Sequence, residues 1–158
     1  MTFATAVAAR GQPAFVLDTN VYILDAGNNL PDAAQTLIDR GLLYHCTVCL
    51  AELALGVANA DPTRPNWADM RDHYSDLMAR IPESRVISPD EKIWLDAGTI
   101  AGTLGRTQNY QKHQRKECLN DALIFLTAAK AGLPVLTANR DEFDLIQQLA
   151  PYGNFIAF

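Results

Sequence analysis

Short continuous apolar runs alternate along this chain with longer stretches whose apolar residues recur every three or four positions. The first pattern marks strands buried on both faces, the second amphipathic helices. Residues 14–18, "AFVLD", read as a strand bounded by Pro13 and Asp18, and residues 20–26 as a short helical turn. "PDAAQTLIDRG", 31–41, has proline at an early helical position and stops at Gly41, so both helix signals are present. "LLYHCT", 42–47, reads as a second strand and "VCLAELALGVANA", 48–60, as a helix. "NADPTRP", 59–65, is the richest breaker region and reads as an inter-helix loop.

Trp67, Met70, Tyr74, Leu77, Met78 and Ile81 stripe a helix over 66–81, a face for the core or an interface. "RVIS", 85–88, is a short third strand. The helix over 90–106 puts Ile93, Ala97, Ile100, Ala101 and Leu104 on one side. "TQNYQKHQRK", 107–116, reads as a polar loop, and "ECLNDALIFLTAAKAG", 117–132, as a strong helix ended by Gly132. A fourth strand over 133–138, a helix over 140–150 and a last strand over 154–158 complete the pattern.

Strands alternating with helices predict right-handed crossovers, hence an α/β fold: a three-layer sandwich around a central, mostly parallel sheet of four or five strands. The 158 residues suit one domain over 14–158, preceded by an Ala-rich arm over 1–13. That arm lacks the basic start and long apolar stretch of a signal peptide. No run reaches the roughly 18 apolar residues that read as a membrane span.

Composition changes this picture in two ways. The three cysteines are an odd number with no disulfide framework, which suits a reducing cytosol. "CTVC", 46–49, has no second cysteine pair to complete a zinc site and reads as buried thiols. The net charge of −5 argues against simple binding of a phosphate backbone. An acidic site filled with divalent cations, however, presents positive charge to a phosphate.

In a parallel sheet the functional crevice lies outside the carboxyl ends of the strands. Asp18 ends the first strand, and Thr137 and Asn139 follow the fourth. Glu52 and Asp121 sit within apolar helices, where a carboxylate is costly unless paired or metal-bound. Each acid has a plain structural reading. Asp18 caps a helix, Glu52 is solvated, Asp121 pairs with Arg115 or Lys116, and Asp141 and Glu142 are first-turn acids favoured by the helix dipole. All of them together, at strand ends or on apolar helices, are harder to explain that way. Carboxylates converging on one crevice repel one another, and a hard cation such as Mg²⁺ or Mn²⁺ relieves the repulsion.

Four segments resemble the PIN-domain ribonucleases and, within them, the VapC-like toxins of toxin–antitoxin pairs: "FVLDTNVYIL", "LAELALGV", "NDALIFLTAAKAGLPVLTAN" and "TANRDEF". Their order and spacing carry the resemblance from about residue 14 onward. It implies Asp18 and Asp121 as principal metal ligands and Glu52 as the third acid. Asn139 stands where a fourth Asp is frequent, with Asp141 or Glu142 able to substitute; Glu117 lies one turn before Asp121. The implied activity is Mg²⁺- or Mn²⁺-assisted hydrolysis of an RNA phosphodiester. The implied setting is cytoplasmic, with a cognate antitoxin and self-pairing into a homodimer.

Thr19 and Asn20 are expected to orient water or phosphate. Arg106, Lys112, Arg115 and Lys116 form the best local basic stretch, expected to bind RNA phosphate with Tyr110 stacking on an unpaired base. Rival enzymes fit less well. A haloacid-dehalogenase-type phosphatase needs an acid at position 20, a receiver domain needs paired acids and a strand-end lysine, and a Rossmann site needs a glycine-rich turn. The alternative that remains is a PIN fold that binds RNA or protein without cutting it.

Overall fold

The computed structural model describes residues 11–158; the expected arm falls largely on residues 1–10, outside that range. Five strands, β1 (Ala14–Leu17), β2 (Leu42–Cys46), β3 (Val86–Ile87), β4 (Val135–Thr137) and β5 (Phe155–Ala157), form one sheet in the order β3-β2-β1-β4-β5. Every pairing is parallel. Seven α-helices connect them: α1 (Thr19–Ala26), α2 (Asp32–Arg40), α3 (Thr47–Asn59), α4 (Trp67–Arg80), α5 (Glu91–Thr107), α6 (Lys112–Lys130) and α7 (Arg140–Leu149). This is the predicted α/β/α sandwich, with five strands.

The strand order reverses at β1. The chain first grows outward through β2 and β3, then returns to β4 on the other side. Leu17 is in register with His45 on one side and with Leu136 on the other. The carboxyl ends of β1 and β4 therefore flank the crevice where an open parallel sheet binds its ligand.

Phe15, Val16, Val135, Leu136 and Ile156 are fully buried, as expected of strands covered on both faces. Ala122–Ala128 of α6 are buried on every side, so this helix is the hydrophobic centre rather than a surface helix. Phe125 packs edge-on against Phe143 of α7, with ring centroids 6.1 Å apart. α6 ends where Gly132 takes the left-handed φ of +71°, turning the chain into β4. The predicted stripe of α5, from Ile93 to Leu104, is buried. On α4, Tyr74 is buried and Met70, Leu77 and Met78 pack against the core, so that stripe is a core face.

One expected element is corrected. The polar stretch 107–116 is not all loop, because α6 begins at Lys112. Gln111 and Gln114 form a reciprocal capping box that satisfies the first free N–H groups and starts the helix earlier than its apolar run.

Candidate active site

β1 stops at Leu17, and Asp18 becomes the N-cap of α1. Capping is only part of its role, because the carboxylate is buried at 2% exposure and turned toward β4. Oδ1 accepts from the Thr19 N–H at 2.7 Å. Oδ2 accepts from the Thr137 hydroxyl at 2.7 Å and from the Asn20 side-chain amide at 2.6 Å. Thr137 in turn accepts from the Asn139 N–H at 2.9 Å, and the Asn20 carbonyl oxygen accepts from the Ala138 N–H at 3.1 Å. The ends of β1 and β4 are thus tied through side chains as well as through the sheet.

Glu52 lies in the second turn of α3, half-buried, and reaches the same crevice. The Thr19 hydroxyl donates to Oε2, and the Asn120 amide donates to Oε1 at 2.7 Å. Asp121 follows on α6, immediately before the buried run. Its Oδ2 faces the Asn139 amide at 3.4 Å. Glu142, in the first turn of α7, accepts from the Tyr110 hydroxyl through Oε2 at 2.7 Å. Its Oε1 is buried without a hydrogen-bond partner.

The electrostatics follow from crowding. Burial raises the Asp18 carboxyl to about 6, against an opposing pull from its hydrogen bonds, and the charge of Glu52 adds to the rise. Asp121 is pushed well above the ordinary carboxylate range, first by burial and then by the charges of Asp18, Glu142, Glu52 and Glu117. Among the described residues the ion pairs are Arg71–Asp72, Arg80–Asp76, Lys92–Asp96 and Lys130–Asp90. None involves these acids, so Asp121 does not pair with Arg115 or Lys116.

This donor set fits a hard divalent cation. It consists of carboxylate oxygens at mutually unfavourable range, one of them buried and unpartnered, with no compensating guanidinium or ammonium. Among the described residues no three His, Cys, Asp or Glu side chains already stand in cage geometry. Glu52 is instead turned to Thr19 and Asn120, and the cation would draw the acids in from those partners.

The other expected site residues fall into two groups. Thr19 and Asn20 lie in the site but spend their side chains holding Glu52 and Asp18. Asn139 is exposed beside Asp121, and Asp141 is exposed in the first turn of α7; Glu142 is the acid of that segment whose charge reaches Asp121. Arg106 is exposed at the end of α5, and Lys112, Arg115 and Lys116 are exposed on the first turns of α6. Arg115 lies over Gly105, where an added Cβ would come within 3.1 Å of its stem, and its Nε donates to the Tyr110 carbonyl at 3.0 Å. The expected stacking role of Tyr110 is not what the structure gives. Its ring packs on the core and its hydroxyl is engaged by Glu142.

Sequence reasoning passed over Asn120 and the Tyr110–Glu142 contact. An amide directly beside Asp121 in an apolar run was the available signal for the first. Cys46 and Cys49 are free and buried, as read from "CTVC", and Cys118 is free and buried as well.

The PIN domain family model matches residues 15–148, and the chain belongs to this family. PIN domains are generally nucleases, which supports a hydrolase. Similar solved structures include VapBC2 from Rickettsia felis bound to a DNA fragment from its promoter, at 18% identity and a TM-score of 0.64, covering 92% of this chain and 98% of that one. VapBC-1 from nontypeable Haemophilus influenzae has 24% identity and a TM-score of 0.63, with 91% and 97% covered. VapBC-5 from Mycobacterium tuberculosis, of a toxin–antitoxin family, has 24% identity and a TM-score of 0.60, with 92% and 98% covered. These likenesses establish the fold. No curated protein matches the chain significantly. Among the described residues no helix is long and apolar enough to cross a membrane.

Proposed function

We propose that the chain is a Mg²⁺- or Mn²⁺-dependent endoribonuclease and the toxin of a toxin–antitoxin pair, acting in the cytoplasm. The observation that carries this reading is the convergence of Asp18, Glu52, Asp121 and Glu142 on one crevice, with no ion pair to any of them among the described residues. Asp18 and Asp121 would hold the metal, with Glu52 and Glu142 completing its oxygen set. A divalent cation there would supply Lewis acidity, activating water and neutralising charge on the scissile phosphate. Thr137, Asn20 and the Thr19 N–H fix the Asp18 carboxylate, while Thr19 and Asn120 hold Glu52 at the edge of the crevice, from which a cation would draw it in.

Lys112, Lys116 and Asn120 fall at i, i+4 and i+8 along α6, a stripe running from the helix start to the Glu52 contact. Cations at a helix N-terminus oppose the macrodipole at roughly 0.3–1 kcal/mol each. Retaining them there suits a track for substrate phosphates, to which Arg106 and Arg115 would add charge. Asn139, exposed beside Asp121, would act on substrate or water, and Asp141, exposed in the first turn of α7, is the further acid that would join it.

The similar structures are VapBC and FitAB complexes, which supports a cognate antitoxin; pairing with a second copy is part of the proposal. A second reading, a PIN fold that binds RNA or protein without cutting, is favoured by Asn139 in place of an acid and by the lack of a ready-made cage among the described residues. One experiment separates the two. Purified protein is incubated with structured RNA and with single-stranded DNA, in Mg²⁺, in Mn²⁺ and in EDTA. Endonucleolytic cleavage of RNA that needs the metal and disappears in Asp121→Asn supports the enzyme. Binding without cleavage under all conditions supports the module.

A further inference from the structure

Beside the acids lies a cavity of about 400 Å³, within the range of roughly 300–1,000 Å³ typical of small-ligand sites. Val48, Leu55, Pro89 and Trp94 form its apolar walls, and Thr47 and Ser88 supply hydroxyls. Glu52 and Asn120, already joined by a hydrogen bond, form the wall it shares with the acidic crevice. Trp94 is 51% exposed and Leu55 56% exposed, a large uncovered apolar area for residues next to a charged site. Resting on the nuclease reading above, we infer that this cavity is a specificity pocket that takes one unpaired nucleobase adjacent to the scissile phosphate, stacked on Trp94.

Three observations select that occupant. No residue lining the cavity is cationic, so a phosphate has nothing to hold it there. A flat aromatic wall with hydroxyl and amide groups around it suits a ring that has a π face and polar edges. The shared wall of Glu52 and Asn120 places the cavity one step from the acids, where the neighbouring base of a cut strand must go. A base held in a duplex cannot enter, so the pocket selects single-stranded or looped RNA.

The two tryptophans are Trp67 and Trp94, so Trp67→Phe leaves Trp94 as the sole reporter. In that background, with the acids intact, the protein is titrated in Mg²⁺ with a non-cleavable analogue of a single-stranded oligoribonucleotide and with the same sequence as a duplex. Saturable quenching of Trp94 by the single strand and not by the duplex is expected. In otherwise unaltered protein, Trp94→Ala should lower kcat/KM on single-stranded RNA by about tenfold or more, chiefly through KM, with Trp94→Tyr recovering most of it. It should also flatten differences between RNAs that vary at one base beside the cut.

Unquenched Trp94 in the presence of oligonucleotide overturns the pocket, as does Trp94→Ala cleaving with unchanged KM and base preference. A Trp94 signal that follows protein concentration instead assigns this face to a second copy, and equally overturns it. If the parent fails to cleave any RNA, the nuclease reading falls, and the quenching titration still decides the pocket by itself.

Discussion

The Asn120 amide holds Glu52 Oε1 at 2.7 Å, joining residues 68 positions apart in the chain. Asn120 is therefore the direct neighbour of one site acid in sequence and the hydrogen-bond partner of another in space. Asn120→Ala would leave Glu52 one donor short while removing no charge. Cleavage should fall about 10- to 100-fold, as for loss of a group that orients a metal ligand, with stability changing by about 1 kcal/mol. Steady-state kinetics beside urea unfolding would check this; full activity in the variant would remove Asn120 from the site.

Asp121→Asn should abolish cleavage and at the same time stabilise the metal-free protein. The carboxyl sits well above its ordinary range, so its charged form is disfavoured in the fold, and neutralising it relieves repulsion from Asp18, Glu142, Glu52 and Glu117. Melting in EDTA at pH 7 should rise by about 3 °C or more. The stabilisation that Mg²⁺ or Mn²⁺ gives the parent should largely vanish. Asp18 fixes the sign of the pH dependence. With a folded pKa of about 6 against an ordinary 3.8, its contribution is fully present below 3.8 and lost as pH rises through 6. The amount is on the order of 3 kcal/mol at 1.36 kcal/mol per unit.

Tyr110→Phe removes the donor to Glu142 Oε2 and leaves both oxygens of a half-buried carboxylate unpartnered. A loss of about 1–3 kcal/mol in stability is expected, along with weaker Mn²⁺ binding by calorimetry. Unaltered Mn²⁺ affinity in both Tyr110→Phe and Glu142→Gln would show that Glu142 takes no part in holding the metal.

His45 titrates in the opposite sense to Asp18. Burial, then the charge of Arg85, lowers it from 6.5 to about 4, and its Nδ1 lies 2.7 Å from the Tyr22 hydroxyl. A depressed histidine pKa means that the neutral ring's contribution is present above 6.5 and lost as pH falls toward 4. His45→Phe should be less stable than the parent at pH 7, and the gap should narrow between pH 6.5 and 4. Chemical unfolding of the two proteins across that range reads the difference directly, free of the contribution they share from Asp18.

Lys112→Glu with Lys116→Glu should weaken RNA binding and flatten its salt dependence by roughly one unit of slope per lysine. Lys112→Glu alone should slightly raise thermal stability, because an acid at the helix start follows the macrodipole. Binding isotherms at several salt concentrations test the first statement and a melting curve the second.

Most of the fold was legible because strands came as short unbroken apolar runs and most helices as a three-to-four-residue apolar spacing. "AFVLD" and the Ile93 to Leu104 stripe are found where the pattern put them. Residues 107–116 misled because polarity hides a helix whose cap is made by two glutamines rather than Ser, Thr or Asp. Asp18, Glu52 and Asp121 stood out as charges among apolar neighbours. The contacts that arrange them did not. Thr19 with Glu52 and Tyr110 with Glu142 span 33 and 32 residues, and no local spacing rule reaches so far. Trp94 carried a weaker signal: it is the large aromatic left off the apolar stripe of its own helix.

The hydrogen bond from Thr137 to Asp18 spans 119 residues, and β1 gains its second neighbour only when β4 exists. During synthesis, the ribosome first releases a chain bearing Asp18 and Glu52 without Asp121, Glu142 or the strand that aligns them. The acidic crevice is completed only after translation has passed β4 and α7. A nascent polypeptide of this kind carries Asp18 and Glu52 without the groups that fix and oppose them until those later elements have been made.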